Sequence, residues 1–584
     1  MHKLAQQQSS STAFRLEFHP EASLSSALVT YLHAIGVEQS FGIIGGAIGV
    51  LYDALEDSAI QVRHFRHESG AAFAATEAHF ATNKPTLVFT TTGPGLLNAL
   101  TGMTAAKWDG AKVVMISGST SAPQRGRWAT QESSSYTMSQ DALYCRGPLF
   151  DYGVRVEHPA EFQAVSRRLG AGLLRPGGFI AHVSIPISLQ SSRIDLPPQG
   201  VLTRVTAPTV ATDDLDTCID LLSQGSFAIW LGFGARDAAP AVRKLIEKTG
   251  APVFCSPRAK GIIPEHHPRF VGVTGIGGHH SVSEYMLQYR PERVLVLGTR
   301  LGEATSFWDR DLVPEHGFVH VDLDPEVPGS AYPDVPTIGI QAEVGSFLEG
   351  LIDRWPHDVS SKVASEPIVM PIRDELGPLR EEGPVRPQAL MRAIQRKVVN
   401  ETEALVMSEC GNSFAWCNHH LRFPSAKRYR VSTLFGSMGH CAAGVVGAAM
   451  ARAGKAVAIT GDGSMLMNSE ISTAVQYNTQ AVWIVLNDAG YGMCESGQKV
   501  LGLNSGQLSM PSVDFVSFAR SMGADGIRVK RETDLEAALE QAMTAIKPFV
   551  VDVVIDRDEP SPLMERFESL LRQGSSKSFA GWDI

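Results

Sequence analysis

Residues 461–463 read Gly-Asp-Gly, closing an apolar run, Lys455-Ala-Val-Ala-Ile-Thr460, that suits a buried strand. A glycine turn at the end of a strand commonly cradles phosphate, because the bare backbone comes close and presents its N–H groups. This turn carries an acid, Asp462, and a second acid, Asp488, ends the next apolar run, Ala481-Val-Trp-Ile-Val-Leu486. Neither turn offers a Lys or Arg. The 26 positions from Asp462 to Asp488 hold a turn, a helix over Asn468 to Tyr477 and a strand. In a parallel sheet both acids then lie at the carboxyl ends of adjacent strands, the edge where open α/β sheets bind ligands. Two converging carboxylates repel unless a cation intervenes. A hard ion such as Mg²⁺ takes one or two carboxylates together with substrate phosphates, so it would neutralise a diphosphate without a basic side chain. Gly-Asp-Gly alone reads as a tight turn with a solvated or capping acid, since Asp is common in turns. Asp488, followed by Gly490-Tyr-Gly492, shifts the reading to a metal–diphosphate site.

The elements that must position these acids repeat along the chain as strand then helix, which implies an α/β fold with mostly parallel sheets. Continuous apolar runs mark strands covered on both faces: Thr86–Phe89, Val113–Ile116, Phe227–Trp230, Val294–Leu297, Val457–Ile459, Val482–Leu486 and Phe549–Ile555. Two stretches, around 187–212 and 355–387, turn polar and Pro-containing and read as linkers. They divide the 584 residues into a tail (1–20), segments 21–190, 205–355 and 388–560 with a linker at 356–387, and a C-terminal tail (561–584). The first and third segments share a unit: strand Leu87–Thr92, Gly93-Pro-Gly95, helix, strand Lys112–Gly118 in one; strand, Gly461-Asp-Gly463, helix, strand in the other. That pattern suggests one βαβ unit used twice.

A net charge of −10 argues against non-specific binding to nucleic acid or anionic membranes. No apolar run reaches the roughly 18 residues of a membrane span, and residues 1–12 lack the apolar core of a signal peptide. Seven cysteines with no Cys-x-x-Cys fit reduced thiols in a cytoplasm better than disulfides or zinc. The His-His pairs at 266–267, 279–280 and 419–420 lack ligand spacing with Cys or Glu and read as loop or surface histidines.

Gly461-Asp-Gly463, about 25 residues and Asn487-Asp488 resemble the thiamine-diphosphate fingerprint, and over nearly its whole length the chain is similar to the acetolactate-synthase (acetohydroxyacid-synthase) family. That resemblance implies three doubly wound parallel-sheet domains, pyrimidine-binding, central Rossmann-like and diphosphate-binding, with thiamine diphosphate and Mg²⁺ as cofactors. It implies that the side chains of Asp462 and Asp488 and the carbonyl of Gly490 hold Mg²⁺. Asp488 stands where many members carry Asn. Gly411, Asn412 and Ser413, then Gly463, Ser464, Tyr491, Gly492 and Met493, would surround the cofactor. Arg66-His-Glu68-Ser-Gly-Ala-Ala72 resembles the family's Arg-His-Glu-x-Gly-Ala helix, so Glu68 would hydrogen-bond the aminopyrimidine N1′ and favour the tautomer whose 4′-nitrogen takes the thiazolium C2 proton. Taken alone, Glu68 is an ordinary first-turn acid. Gly436-Ser437-Met438-Gly439 resembles the Gly-x-hydrophobic-Gly that bends the cofactor over the Met438 side chain. Phe41-Gly-Ile-Ile44-Gly45-Gly46-Ala47 matches a loop over the active site, with Ile44 in place of Pro, and Gln131-Glu132 matches a pair whose Gln reaches substrate. The resemblance also implies a homodimer as the minimal unit, with a tetramer possible, because the cofactor lies between the first segment of one copy and the third of another.

Three departures bear on the substrate. The family's Gly-Met-Val-x-Gln-Trp-Gln is here Gly492-Met-Cys-Glu495-Ser-Gly497-Gln498, so Gly497 replaces a Trp and would free volume for an aryl acceptor. Arg-Phe-Asp-Asp-Arg is here Arg300-Leu-Gly-Glu-Ala304, without the second Arg that helps hold the acceptor's carboxylate. The FAD-contacting Gly-Met-His-Gly is unmatched, the nearest text being Val273-Thr-Gly-Ile-Gly-Gly278, which argues against FAD. Gly232-Phe-Gly234 is weak evidence for a nucleotide. The pattern is also similar to carboligases of secondary metabolism such as the acyloin synthase of scytonemin biosynthesis. The expected activity is decarboxylation of a 2-oxo acid followed by carboligation to a 2-oxo acid or aldehyde, with Ile44, Ala47, His440, Cys441, Glu495 and Gly497 around the substrate. A true acetolactate synthase remains open. So does a non-ligating decarboxylase, for which His440 or Glu495 would protonate the product. Intact Glu68, Asp462 and Met438 argue against a non-catalytic relative.

Overall fold

The computed structural model describes residues 15–16, 21–138, 142–194, 200–201, 205–356, 376–503 and 507–573. The tail at 1–20, the linker at 356–387 and the end of the chain therefore lie largely outside the described residues. The chain divides after Thr206 into two compact units.

Unit 1 is built on six parallel strands in the spatial order Gln61–His64, Gln39–Gly42, Thr86–Thr90, Lys112–Ser119, Phe179–Pro186, Tyr152–Arg155. Numbered along the chain, that order is 2-1-3-4-6-5. The inner strands are buried along all of their length or all but the first residue, and the edge strands only in part. Helix Glu68–Thr82 is buried nearly all round by alanines, which lets helix Pro94–Asp109 come close: a Cβ on Gly102 would stand 2.5 Å from the Cβ of Ala72. Pro94 opens the second of these helices and Gly110, at φ +78°, closes it.

Unit 2 holds two more six-stranded parallel sheets. The central one runs Phe270–Val273, Val253–Cys255, Phe227–Leu231, Arg293–Leu297, Phe318–Asp322, Thr337–Gln341, the doubly wound order 3-2-1-4-5-6. The last runs Tyr429–Val431, Leu405–Ser408, Ala456–Gly461, Ala481–Asn487, Phe549–Val554, Asp525–Val529. Its order is again 2-1-3-4-6-5, so the βαβ unit read twice in the sequence belongs to two sheets of identical connectivity. A fully buried ion pair, Lys260 Nζ to Glu265 Oε2 at 2.8 Å, ties the central layer to the carbonyl of Asn418 at 3.1 Å.

Two expectations change. The helix anticipated at Asn468–Tyr477 is two helices, Asp462–Met467 and Ile471–Gln476. The first begins on the acid itself, and the chain breaks at Glu470, whose φ of 46° cannot continue a helix. The segment expected as a tail from 561 contains a helix, Met564–Gln573. Leu563 and Phe567 are buried against Ala415, with Met493 and Val500 beside them.

Candidate active site

In unit 1 the predicted residues gather at the carboxyl edge of the sheet. Glu68 opens its helix and is almost buried, and its Oε2 accepts a hydrogen bond from Asn98 Nδ2 at 3.1 Å. Gly93, at φ +59°, turns the chain into the neighbouring helix, and a Cβ there would meet the Gln131 carbonyl at 2.8 Å. Thr92 Oγ1 donates to that carbonyl at 3.1 Å, so Gln131 is fixed to the same turn that faces Glu68. Gly45 packs on Thr91, with 2.6 Å left for a Cβ, and the carbonyl of Ala47 lies 2.5 Å from where a Cβ of Gly118 would stand. Gly46 has open space around it, and Ile44 beside it is 47% exposed. The Glu132 carboxyl is committed to its own loop, taking the N–H of Gly126 at 2.7 Å and the hydroxyl of Ser134.

In unit 2 a cavity of ≈ 460 Å³ opens at the carboxyl edge of the last sheet. Asp462 and Asp488 line it from adjacent strands, as the sequence requires. Burial raises the Asp462 carboxyl above its usual value, although N–H groups of Gly463, Gly490 and Ala489 oppose the shift. Burial, and then the charge of Asp462, push Asp488 up to about 6, which the charge of Arg557 does not offset. The Arg557 guanidinium is held by Glu495. Gly490 is pinned in a short bridge with Ser509, and Met510 N–H donates to the Ala489 carbonyl at 2.7 Å, so the turn after Asp488 is rigid.

Gly411, Asn412 and Ser413 enter from the start of helix Asn412–His420. The side-chain oxygen of Asn412 is buried with no hydrogen-bond partner among the described residues. A Cβ on Gly492 would fall 2.5 Å from Asp488 Oδ2 and 3.0 Å from Asn412 Nδ2, so a glycine is needed for the carboxylate and the amide to share this space. Gly436, at φ +59°, and Met438 form another wall, and the Met438 methyl sits 3.1 Å from where a Gly463 Cβ would be, with Tyr491 and Met510 around it. Ser464 and Met493 complete the cavity surface among the predicted cofactor residues. Two desolvated carboxylates, an unpartnered amide oxygen and a glycine cradle fit a divalent cation carrying a diphosphate.

Other predicted residues lie outside this cavity. Ser437 hydrogen-bonds the carbonyl of Met438. His440 is buried at the start of helix His440–Arg452, and Cys441 turns its thiol to the Ser408 carbonyl at 2.9 Å. Glu409 caps that helix, accepting from the N–H groups of Cys441 and Ala442 at 3.1 and 3.2 Å. Glu495 is paired with Arg557 and Lys499, whose hydrogen bonds hold its carboxyl below the usual range. Gly497, expected beside the substrate, is not among the residues lining this cavity, and the Phe567 ring lies 3.1 Å from where its Cβ would stand. Gly232 and Gly234 pack against Gly298, with 2.2 and 2.9 Å left for a Cβ, so backbone approach alone accounts for that turn. Sequence reasoning missed Asn98, Met510, Glu303, Arg566 and Phe567, for which no local motif exists; each matters only through a partner distant in sequence.

Models of thiamine pyrophosphate enzymes match the chain at residues 22–138 (N-terminal TPP-binding domain), 215–351 (central domain) and 409–553 (C-terminal TPP-binding domain). A probable acetolactate synthase large subunit of Methanocaldococcus jannaschii is 26% identical, over 92% of this chain and 93% of its own. Acetolactate synthase isozyme 1 large subunit of Escherichia coli is 27% identical, over 91% and 94%. A putative thiamine pyrophosphate-containing protein of Bacillus subtilis is 27% identical, over 92% of each chain. The chain belongs to the thiamine pyrophosphate enzymes and is a thiamine-diphosphate-dependent enzyme of the acetolactate synthase type. No helix among the described residues is long and apolar enough to cross a membrane.

Proposed function

We propose that the enzyme decarboxylates a 2-oxo acid and joins the remaining acyl unit to a carbonyl acceptor, releasing an acyloin or acetolactate-type product. The observation that carries this reading is the pair of carboxylates, buried Asp462 and half-buried Asp488, facing one cavity with Asn412 and Gly492. Thiamine diphosphate, when bound, supplies the electron sink for decarboxylation and carbon–carbon bond formation.

The chain's own residues do the rest. Asp462, Asp488 and the Gly490 carbonyl would hold Mg²⁺ at the diphosphate end of the cavity, and Met438 and Gly436 would hold the ring end of the cofactor. Glu68, kept in place by Asn98, holds a proton at the aminopyrimidine N1′. Gln131 and the loop Gly45-Gly46 orient substrate above it. The working unit is a homodimer, in which the first domain (21–190) of one copy meets the third (388–560) of the other, with the central domain at 205–355.

Glu495 and His440, the candidate donors for aldehyde release, give that alternative little support. Glu495 is held ionised by Arg557, and His440 is buried away from the cavity. Nor does Gly497 support an aryl acceptor, since it is not among the residues lining the cavity. The deciding experiment incubates the holoenzyme with pyruvate, and with phenylpyruvate, and separates aldehyde from coupled product by mass spectrometry. Coupled product is expected; aldehyde alone would refute carboligation.

A further inference from the structure

Helix Asn412–His420 meets the cavity at its first turn: Gly411, Asn412 and Ser413 line the wall, and the nine residues of the helix run about 13 Å away from it. The far end is gripped by the central layer. The ammonium of Lys260, just past the turn Pro257–Ala259, donates to the Asn418 carbonyl at 3.1 Å and to Glu265 Oε2 at 2.8 Å, and both charged side chains are fully buried. Glu265 uses its other oxygen on the N–H of Phe423, at 3.1 Å, just beyond the helix.

The loop 273–279 grips the same turn. Asn418 Nδ2 donates to the Ile276 carbonyl at 2.5 Å, His419 Nδ1 donates to the Gly278 carbonyl at 3.1 Å, and His279 Nε2 returns a bond to the His419 carbonyl at 3.0 Å. His279 donates there because its Nδ1 accepts from the N–H of Val273 at 3.2 Å, which leaves the proton on Nε2. Side chains would not fit in this approach: a Cβ on Gly277 would stand 2.4 Å from the Ala415 carbonyl, and one on Gly275 2.1 Å from the Ala304 carbonyl. Ile276, between the two glycines, donates its N–H to Ala304 at 3.2 Å. The loop is thus locked between the segment 302–305 and the helix.

A buried ion pair is a poor way to add stability. Taking two charges out of water costs about as much as their attraction returns, and an apolar pair of similar volume often serves as well. What an apolar pair lacks is direction. Apolar contact is indifferent to a small slide or rotation of a helix, whereas an ammonium with a fixed counter-ion holds one carbonyl at one place. A short helix transmits that constraint as a rod, so fixing its last turn fixes where its first N–H groups and the Asn412 side chain stand. The polarity agrees. The last turn is the negative end of the helix dipole, where Lys260 lies, and the first turn is the positive end, which suits a phosphate.

We propose that Lys260, fixed by Glu265, is a positioning residue for cofactor binding: through the Asn418 carbonyl, and with the loop 276–279 beside it, the central layer sets where helix Asn412–His420 ends in the cavity. This rests on the thiamine-diphosphate reading of that cavity.

The test replaces the pair in two ways. K260M/E265L keeps the volume and removes the charges and their hydrogen bonds, while K260Q/E265Q removes the charges and keeps donors and acceptors. Thiamine diphosphate affinity with Mg²⁺ is read by tryptophan fluorescence, the melting temperature of the cofactor-free protein by calorimetry, and turnover of pyruvate at saturating cofactor. K260M/E265L is expected to melt no lower than wild type and to keep wild-type turnover once saturated. It is expected to bind the cofactor about 10- to 100-fold more weakly, the range of a hydrogen bond to a charged group. K260Q/E265Q is expected to recover most of that affinity. Wild-type affinity in K260M/E265L overturns the proposal. So does an equal loss in both double variants, or a loss that comes with a lowered melting temperature, because the pair then only holds the fold. Should K260M/E265L fail to fold, N418L decides, since it removes only the bond to the Ile276 carbonyl: weaker cofactor binding at an unchanged melting temperature supports the proposal, and wild-type affinity overturns it. A wild type without saturable, Mg²⁺-dependent cofactor binding overturns the underlying reading and this proposal with it. Saturable binding in wild type with unchanged affinity in the variants overturns this proposal alone.

Discussion

The first and last sheets share connectivity, 2-1-3-4-6-5, all parallel, yet their carboxyl edges present opposite chemistry. The first edge shows Glu68, whose Oε2 is partnered by the amide of Asn98 and whose Oε1 lies 3.2 Å from where a Cβ of Gly95 would stand. The last edge shows two carboxylates crowded enough that Asp488 is raised to about 6. The difference teaches that the βαβ scaffold fixes where a ligand sits, while the side chains on two turns decide what it is. A single acid beside an amide suits a proton held on a ring nitrogen. Two acids in a buried cradle suit a cation.

Variants at the two edges should separate these roles. Glu68→Gln should lower decarboxylation, read as CO₂ release, by about 10²- to 10⁴-fold, the usual weight of a general acid–base group. Its cofactor affinity, read by tryptophan fluorescence, should change far less. Asp462→Asn should behave in the opposite way, weakening Mg²⁺-dependent cofactor binding by at least about 100-fold, more than loss of an outer-shell contact. If the two variants fail alike in the fluorescence titration, the division of labour between the edges is wrong.

The next effect is one of pH. Asp488 must lose its proton before it can hold a cation, and its value of about 6 is raised from 3.8. Mg²⁺ affinity should therefore fall about tenfold per unit below pH 6, as protons compete for the ligand. The sign for stability is the reverse in the metal-free protein. Its folded state binds the proton more tightly than the unfolded state, so the contribution is full below 3.8 and is lost as pH rises through about 6. Melting curves with and without Mg²⁺ across pH 4–8 read both; a metal-free protein whose stability does not decline over that interval would contradict the crowding of the two acids.

The smallest effect tests Gly497. Restoring an indole with Gly497→Trp should overpack Phe567 by about 1–3 kcal/mol. It should loosen helix Met564–Gln573 and expose the C-terminal segment to limited proteolysis. Unchanged cleavage there, together with selective loss of bulky acceptors, would restore the view that residue 497 faces substrate.

Several inner strands were legible because they are covered on both faces and so read as unbroken apolar runs: Thr86–Thr90, Phe227–Leu231 and Ala481–Asn487 fall where those runs predict, whereas the inner strands Gln39–Gly42 and Leu405–Ser408 were not singled out. The edge strands Gln61–His64, Tyr152–Arg155 and Thr337–Gln341 were not singled out, because a half-exposed strand carries polar residues and no run. That Asp462 and Asp488 meet at one sheet edge was legible from spacing, since strand length and parallel connection bring them there. Asn98 as the partner of Glu68 was not, because two helices must pack before the pair can meet.

By itself, then, the sequence determined the α/β class, the repeated unit, the two acids at one sheet edge and the family they resemble, all properties of local period and short spacing. The tertiary structure alone decided the meaning of Gly497. Whether a missing side chain leaves a cavity or a seat depends on what arrives from elsewhere in the chain. Here Phe567, 70 residues away in sequence, arrives and brings Arg566 with it. Packing at that range is set by the closure of the whole unit, which no local pattern encodes.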